Sequence, residues 1–153
     1  NCVENMLISH KASDESLVKI FSQIPKNLTE KAENLLSFVG LYQKRKLRAG
    51  DLSFGQQKLL ELAMALMNEP EMLLLDEPTA GINPTLINGI IDRLIKVNQD
   101  FGITLFVIEH NMRVIMQLAE SIFCLAHGKL LAKGTPEEIK NDNRVIDAYL
   151  GAQ

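Results

Sequence analysis

Three observations predict an α/β layered domain. Met72-Leu73-Leu74-Leu75 is a short apolar run stopped by Asp76-Glu77-Pro78, the mark of a strand buried on both faces. Ile103 to Ile108 is a second buried run of the same kind. Apolar residues recur at helical spacing between and after these runs, so strands alternate with helices and a layered sheet follows.

The elements can be taken in chain order. The first 28 or so residues are weakly patterned and polar, with Pro25 as a breaker, and predict short helices and loops. Asn27 and Glu30 have capping-box spacing for a helix whose apolar face is Ala32, Leu35, Leu36 and Val39 and which ends at Gly40. The basic stretch from Gln43 to Arg48 reads as a solvated loop. Leu59 to Met67 is apolar nearly all round, which predicts a buried helix. After the first strand, Leu86, Ile87, Ile90, Ile91, Leu94 and Ile95 trace one helical face up to Gly102, and after the second Met112, Ile115, Met116 and Ala119 trace another. Ser121–Ala126 and Lys129–Ala132 flank His127-Gly128, a hairpin signal. Thr135-Pro136-Glu137-Glu138 joins an N-cap, a first-turn proline and a capping-box glutamate, so a helix starts there.

Composition bounds the function. The chain has 153 residues, 46% hydrophobic and 23% charged, enough for one domain with a real core. A net charge of -3 gives no broad footprint for nucleic acid or an anionic membrane. No apolar run approaches the roughly 18 residues of a spanning helix, so any membrane link is expected to run through another protein. There is no secretory signal pattern, and the start at Asn1-Cys2-Val3 predicts a piece of a longer protein. Of the two cysteines, Cys2 lies at a ragged start and Cys124 reads as a buried free thiol, so the expected compartment is the cytoplasm.

Three motifs carry chemistry. Asp76 and Glu77 stand at the carboxyl end of a strand, where open α/β sheets bind ligands. Alternation along the strand predicts that they point different ways. One can serve a hydrated Mg²⁺, and the other can polarise a water; Pro78 is expected to hold Glu77 extended. Asp-Glu-Pro also serves simply to end strands. Glu109 and His110 follow the second strand, where an imidazole can hydrogen-bond a phosphate; a lone histidine after a strand also serves as a helix cap or a surface residue, but its position downstream of Asp76-Glu77 favours the phosphate reading. Leu52-Ser53-Phe54-Gly55-Gln56-Gln57 opens the buried helix, whose free N–H groups and dipole make an anion site. Ser53 with Gln56 also forms a capping box without any ligand.

Together, and in this order, the three motifs resemble the ATP-binding cassettes of ABC transporters. Leu52-Ser53-Phe54-Gly55-Gln56 resembles the signature sequence, Leu73–Glu77 the Walker B strand, and His110 the switch histidine. The resemblance runs from about Asn1 to Gln153. It implies a P-loop NTPase-like fold truncated at the N-terminus, with a helical subdomain at 1–68 ending in the signature helix and part of the α/β ATPase core at 69–153. It also implies that Asp76 helps hold Mg²⁺, that Glu77 positions the hydrolytic water and that His110 senses the γ-phosphate. Ser53, Gly55, Gln56 and Asn83 would contact nucleotide, Ser53 and Gly55 reaching ATP held by a second subunit in a head-to-tail dimer.

Ala80-Gly81-Ile82-Asn83-Pro84, Ile108-Glu109-His110-Asn111-Met112 and the ending Ala148-Tyr149-Leu150-Gly151-Ala152 resemble the branched-chain amino-acid importer branch. Phe54 departs from the commoner glycine of the signature, as that branch often does. The implied parent is an ATPase on the inner face of the cell membrane, bound there through permease subunits. The ATPase of a lipopolysaccharide exporter or urea importer shares much of the pattern. A soluble ABC protein acting on ribosomes or DNA would bring a second cassette, a basic extension or a coiled-coil insertion. A non-catalytic partner module need not keep Glu77 and His110.

No Gly-x-x-x-x-Gly-Lys-Ser/Thr occurs; Gly128-Lys129 is followed by Leu130 and has Phe123 where the first glycine would fall. The resemblance places the phosphate loop, the adenine-stacking aromatic and the glutamine switch before Asn1, together with the strand that would lie between 103–108 and 121–126. Strand 103–108 is therefore expected to pair with 72–76 and to share no ladder with 121–126. The isolated chain is expected to aggregate and to lack ATPase activity.

Overall fold

A computed structural model describes residues 1–10 and 25–149 of the chain. It divides into two compact units, Asn1–Val107 and Ile108–Gln153. The sequence expectations for residues 11–24 and for the ending after Tyr149 lie outside the described residues.

The first unit opens with helix α1 (Cys2–Ser9), capped by a box in which Asn1 and Glu4 bond each other's backbone. Cys2 is fully buried rather than part of a ragged start, and its N–H donates to Leu47 O at 3.0 Å. Burial pushes its thiol above the ordinary range. Helix α2 (Lys26–Phe38) has Pro25 as N-cap, two residues before the expected Asn27 cap. Pro25 caps without a side-chain hydrogen bond, its carbonyl accepting from Leu28 N–H at 3.0 Å and Thr29 N–H at 3.3 Å, and the Asn27 side-chain oxygen accepts from Leu28 N–H at 3.0 Å instead of capping. The expected end at Gly40 stands: Leu41 N–H reaches back to Leu36 O at 2.7 Å and Gly40 N–H to Ser37 O, a Schellman closure.

Residues 43–48 are more than a solvated loop. A 3₁₀ turn, Tyr42–Lys44, leads to Arg45, which lies 4.1 Å above the Tyr42 ring and pairs with Glu33 at 3.2 Å. A second 3₁₀ turn, Ala49–Asp51, precedes helix α3 (Phe54–Leu66), which buries Leu60, Leu62, Ala63 and Leu66 as its apolar sequence predicts. Helices α1, α2 and α3 pack pairwise on one another. Strand β1 (Met72–Asp76) is followed by helix α4 (Pro84–Phe101), whose buried stripe is Ile90, Ile91, Leu94 and Val97. Full burial of such side chains stabilises by roughly 1.5–3 kcal/mol each.

Strand β2 (Thr104–Ile108) pairs with β1 in a two-stranded sheet, its start fixed by Thr104 N–H donating to Glu71 O at 2.9 Å. Burial on both faces does not hold. Leu73 is buried, but Leu74 is 75% exposed and Met72, Phe106 and Ile108 are exposed as well. Alternate residues are covered, the period of a sheet covered on one side only. Such a face favours association between chains. Leu74→Lys in the 153-residue chain is therefore expected to reduce self-association, read by light scattering against concentration. Unchanged scattering would show that this face is not the cause.

The second unit begins with helix α5 (Met112–Leu118) and continues with strands β3 (Ile122–Ala126) and β4 (Lys129–Gly134). The hairpin is as expected, with Ala126 opposite Lys129 and positive φ at both His127 (51°) and Gly128 (74°), the two-residue turn that matches strand twist. The register shifts between Cys124 and Leu125, so two residues of β4 oppose one of β3. Strands β3 and β4 form their own two-stranded sheet.

Helix α6 (Pro136–Lys140) carries the expected Thr135–Glu138 box. The bonds from the Thr135 backbone N–H and hydroxyl hold the Glu138 carboxyl below its ordinary range. Ile139, Val145 of helix α7 (Asn143–Tyr149), Ile122, Ala132 and the free, buried Cys124 make this unit's core, with Ile115, Met116 and Ala119 packed against it.

Candidate functional site

The first candidate group sits where the chain turns into α3. Ser53 is the extended N-cap, and its capping box with Gln56 is closed, Ser53 N–H donating to Gln56 Oε1 at 3.2 Å. Lys44 Nζ donates to the same oxygen at 3.1 Å. Gln57 Nε2 donates to Ala49 O and Leu52 O, pinning the preceding turn to the helix. The result is a rigid helix start with an exposed Ser53 and a buried Gly55. The Ser53 oxygen serves the cap as acceptor, and its O–H remains a donor for an anion at the positive end of the helix. Gln56 has its carbonyl engaged twice, so what it can offer a ligand is its amide N–H₂.

The second group stands at the end of β1. Asp76 is the last strand residue and lies on the exposed face. Glu77 is not extended. Its φ of 46° places it in the left-handed region, because the chain reverses at once: Ala80 N–H bonds Glu77 O at 3.0 Å and Ile82 N–H bonds Thr79 O at 3.3 Å. A non-glycine residue held in that region is uncommon and concentrates at functional sites. Thr79, inside the turn, is buried. Asn83 ends the turn as N-cap of α4, its side-chain oxygen accepting from Thr85 N–H at 3.0 Å.

These groups belong to one unit. His110 lies in the other, exposed, two residues past β2. It is not the cap of the following helix; Asn111 is, accepting from Arg113 N–H at 3.1 Å. Among the described residues no group of three or more His, Cys, Asp or Glu side chains could hold a metal. One exposed carboxylate fits an ion such as Mg²⁺ that takes most of its ligands from phosphates and water.

A family model described as "ABC transporter" matches residues 3–80, and one described as "Branched-chain amino acid ATP-binding cassette transporter" matches 129–153. This chain belongs to the ABC transporter family. Among similar proteins, the high-affinity branched-chain amino acid transport ATP-binding protein LivG of Salmonella typhimurium is 33% identical, over 97% of this chain and 61% of its own length. The corresponding BraF protein of Pseudomonas aeruginosa is 34% identical, with the same coverage. The chain thus spans about three fifths of the length of the curated relatives it matches.

Two solved ATP-binding cassettes of ABC transporters match with a TM-score of 0.81. One, in its ADP conformation, is 34% identical over 98% of this chain and 62% of that one. The other, nucleotide-free, is 32% identical over 97% and 62%. Against the family's fold, the two-stranded β1–β2 sheet and the helices around it are those of an α/β ABC ATPase.

Sequence reasoning passed over Lys44 and Gln57, which brace the turn into α3, and Thr79. The basic run and the second glutamine were visible, but nothing local says which backbone carbonyls they would find. It also passed over the approach of the Phe54 ring to Gly81, a pair 27 positions apart, where a Cβ added at Gly81 would stand 3.3 Å from Phe54 Cε1.

Proposed function

We propose that the complete subunit is an ATPase that powers branched-chain amino-acid uptake across a cell membrane. The observation that carries the ATPase reading is the pairing, in one compact unit, of a braced helix start at Ser53, whose free N–H groups suit an anion, with an acidic strand end at Asp76-Glu77; the choice of branched-chain amino acids rests on the likeness to LivG and BraF. Asp76 holds Mg²⁺. Glu77 orients the attacking water and accepts its proton. His110 bonds the γ-phosphate. Ser53 and Gly55, with Gln56 and Asn83, contact nucleotide, Ser53 and Gly55 doing so across a head-to-tail dimer of ATP-binding subunits. When bound, Mg²⁺ supplies neutralisation of phosphate charge.

Residues 1–68 act as the helical subdomain facing the permease subunits, and 69–153 as part of the ATPase core. The subunit sits on the cytoplasmic face of the membrane through its permease, a reading that rests on the likeness to branched-chain amino acid transport ATP-binding proteins; no helix of the described residues is long and apolar enough to cross a membrane. The 153-residue chain alone is inactive, since no Gly-x-x-x-x-Gly-Lys-Ser/Thr loop cradles the phosphates within it.

Vesicles carrying the complete subunit with its permease and binding protein test the transport reading. Leucine, isoleucine or valine should accumulate only with ATP and should raise ATP turnover. Stimulation by urea, or by lipopolysaccharide in the export direction, with none by these amino acids would overturn it.

A further inference from the structure

The signature helix opens with an aromatic side chain that is half exposed to solvent and yet engaged. Phe54 is 52% exposed, but its ring lies against Gly81: a Cβ added at Gly81 would stand 3.3 Å from Phe54 Cε1 and 3.9 Å from Cδ1 and Cζ. Gly81 has φ +69°, so a side chain there is strained as well as crowded. The next residue repeats the contact. A Cβ at Gly55 would meet Leu86 Cδ1 at 3.1 Å and Ile82 Cγ2 at 3.6 Å. From one turn further along α3, Lys58 Nζ lies 5.7 Å from the centroid of the Phe54 ring.

Two successive residues at the start of α3 therefore abut the segment that follows Glu77. That segment is stiff. Glu77 O accepts from Ala80 N–H, Thr79 O accepts from Ile82 N–H, and Thr79 and Ile82 are both buried. A displacement of Gly81 is passed to Glu77 through only three residues, in a turn closed by hydrogen bonds. The geometry points to Phe54 as a positioning residue that ties the signature end of α3 to the turn carrying Glu77, so that the two move as one piece. This rests on the ATPase reading, in which the signature and Glu77 of one subunit serve different ATP molecules; the ring then links the two sites.

The test uses the complete subunit, with Phe54→Gly, Phe54→Leu, Gly81→Ala, the Phe54→Gly/Gly81→Ala double variant and Glu77→Gln. Phe54→Gly should lower kcat by at least about threefold, within the range of coupling between residues in contact, while KM for ATP stays within about twofold. Phe54→Leu, which keeps an apolar side chain over Gly81, should recover most of kcat. Gly81→Ala should be worse than Phe54→Gly, and removing the ring in the double variant should restore part of the loss. Wild-type kcat in Phe54→Gly, or losses that simply multiply in the double variant, would overturn the coupling. Glu77→Gln that still turns over ATP would instead sink the ATPase reading itself.

Discussion

Glu77→Gln in the complete subunit is expected to cut ATP turnover by about 10²–10⁴-fold, the contribution of a positioned general base, while leaving ATP binding intact. The substitution keeps the shape and removes the charge. Glu77 is exposed, immediately past the last residue of β1, and its left-handed φ is fixed by the turn that closes on its own carbonyl. Glutamine can adopt the same backbone, so lost activity reports lost proton acceptance rather than a refolded turn. Nucleotide should then stay bound unhydrolysed, and dimers should accumulate on size-exclusion chromatography when ATP and Mg²⁺ are present. Steady-state turnover near wild-type would remove Glu77 from the mechanism.

Ser53→Arg should be as severe. It places a cation and a long side chain at the helix start proposed to meet the partner's ATP, and it removes a capping residue worth about 0.5–2 kcal/mol. Donors aimed at developing charge are commonly worth about 10²–10³-fold in rate, so turnover should fall at least that far. Ser53→Asp separates the two causes. Aspartate caps a helix as well as serine does, so the fold should hold by thermal melting, but its charge repels phosphate. An Asp variant with normal turnover would reduce Ser53 to a structural cap.

What the sequence made legible was local. The Ser53–Gln56 and Thr135–Glu138 boxes, the Gly40 helix end and the His127-Gly128 turn each depend on residues within five positions, and each formed as read. The start of α2 failed on the same scale: the helix begins at Lys26 with Pro25 as N-cap, two positions before the Asn27 cap that the Asn27–Glu30 spacing suggested. Burial of β1 and β2 on both faces was over-read. An apolar run states what a strand can bury, and what covers it is a tertiary fact; Leu74 and Phe106 are exposed here.

The candidate site divides the same way. Residue types and spacing pointed to Ser53, Asp76, Glu77 and His110. They could not reveal that Glu77 sits in the left-handed region, since the residue before a proline is biased toward extended backbone and only the closed turn overrides that bias. Nor could they show the Phe54 ring on Gly81 or Lys44 on Gln56, contacts made by elements brought together in folding.

The central claim is that Ser53 and Glu77 of one subunit act on different ATP molecules. Mixing the two inactive variants, Ser53→Arg and Glu77→Gln, tests it most directly. In a head-to-tail dimer, a mixed pair holds one site with both defects and one with an intact Glu77 facing an intact Ser53. ATP turnover should therefore reappear on mixing, well above either variant alone and rising with the fraction of mixed dimer. If mixed dimers form, shown by pull-down of one tagged variant with the other, and turnover stays at the level of the separate variants, the two residues do not complement across subunits and the account is wrong.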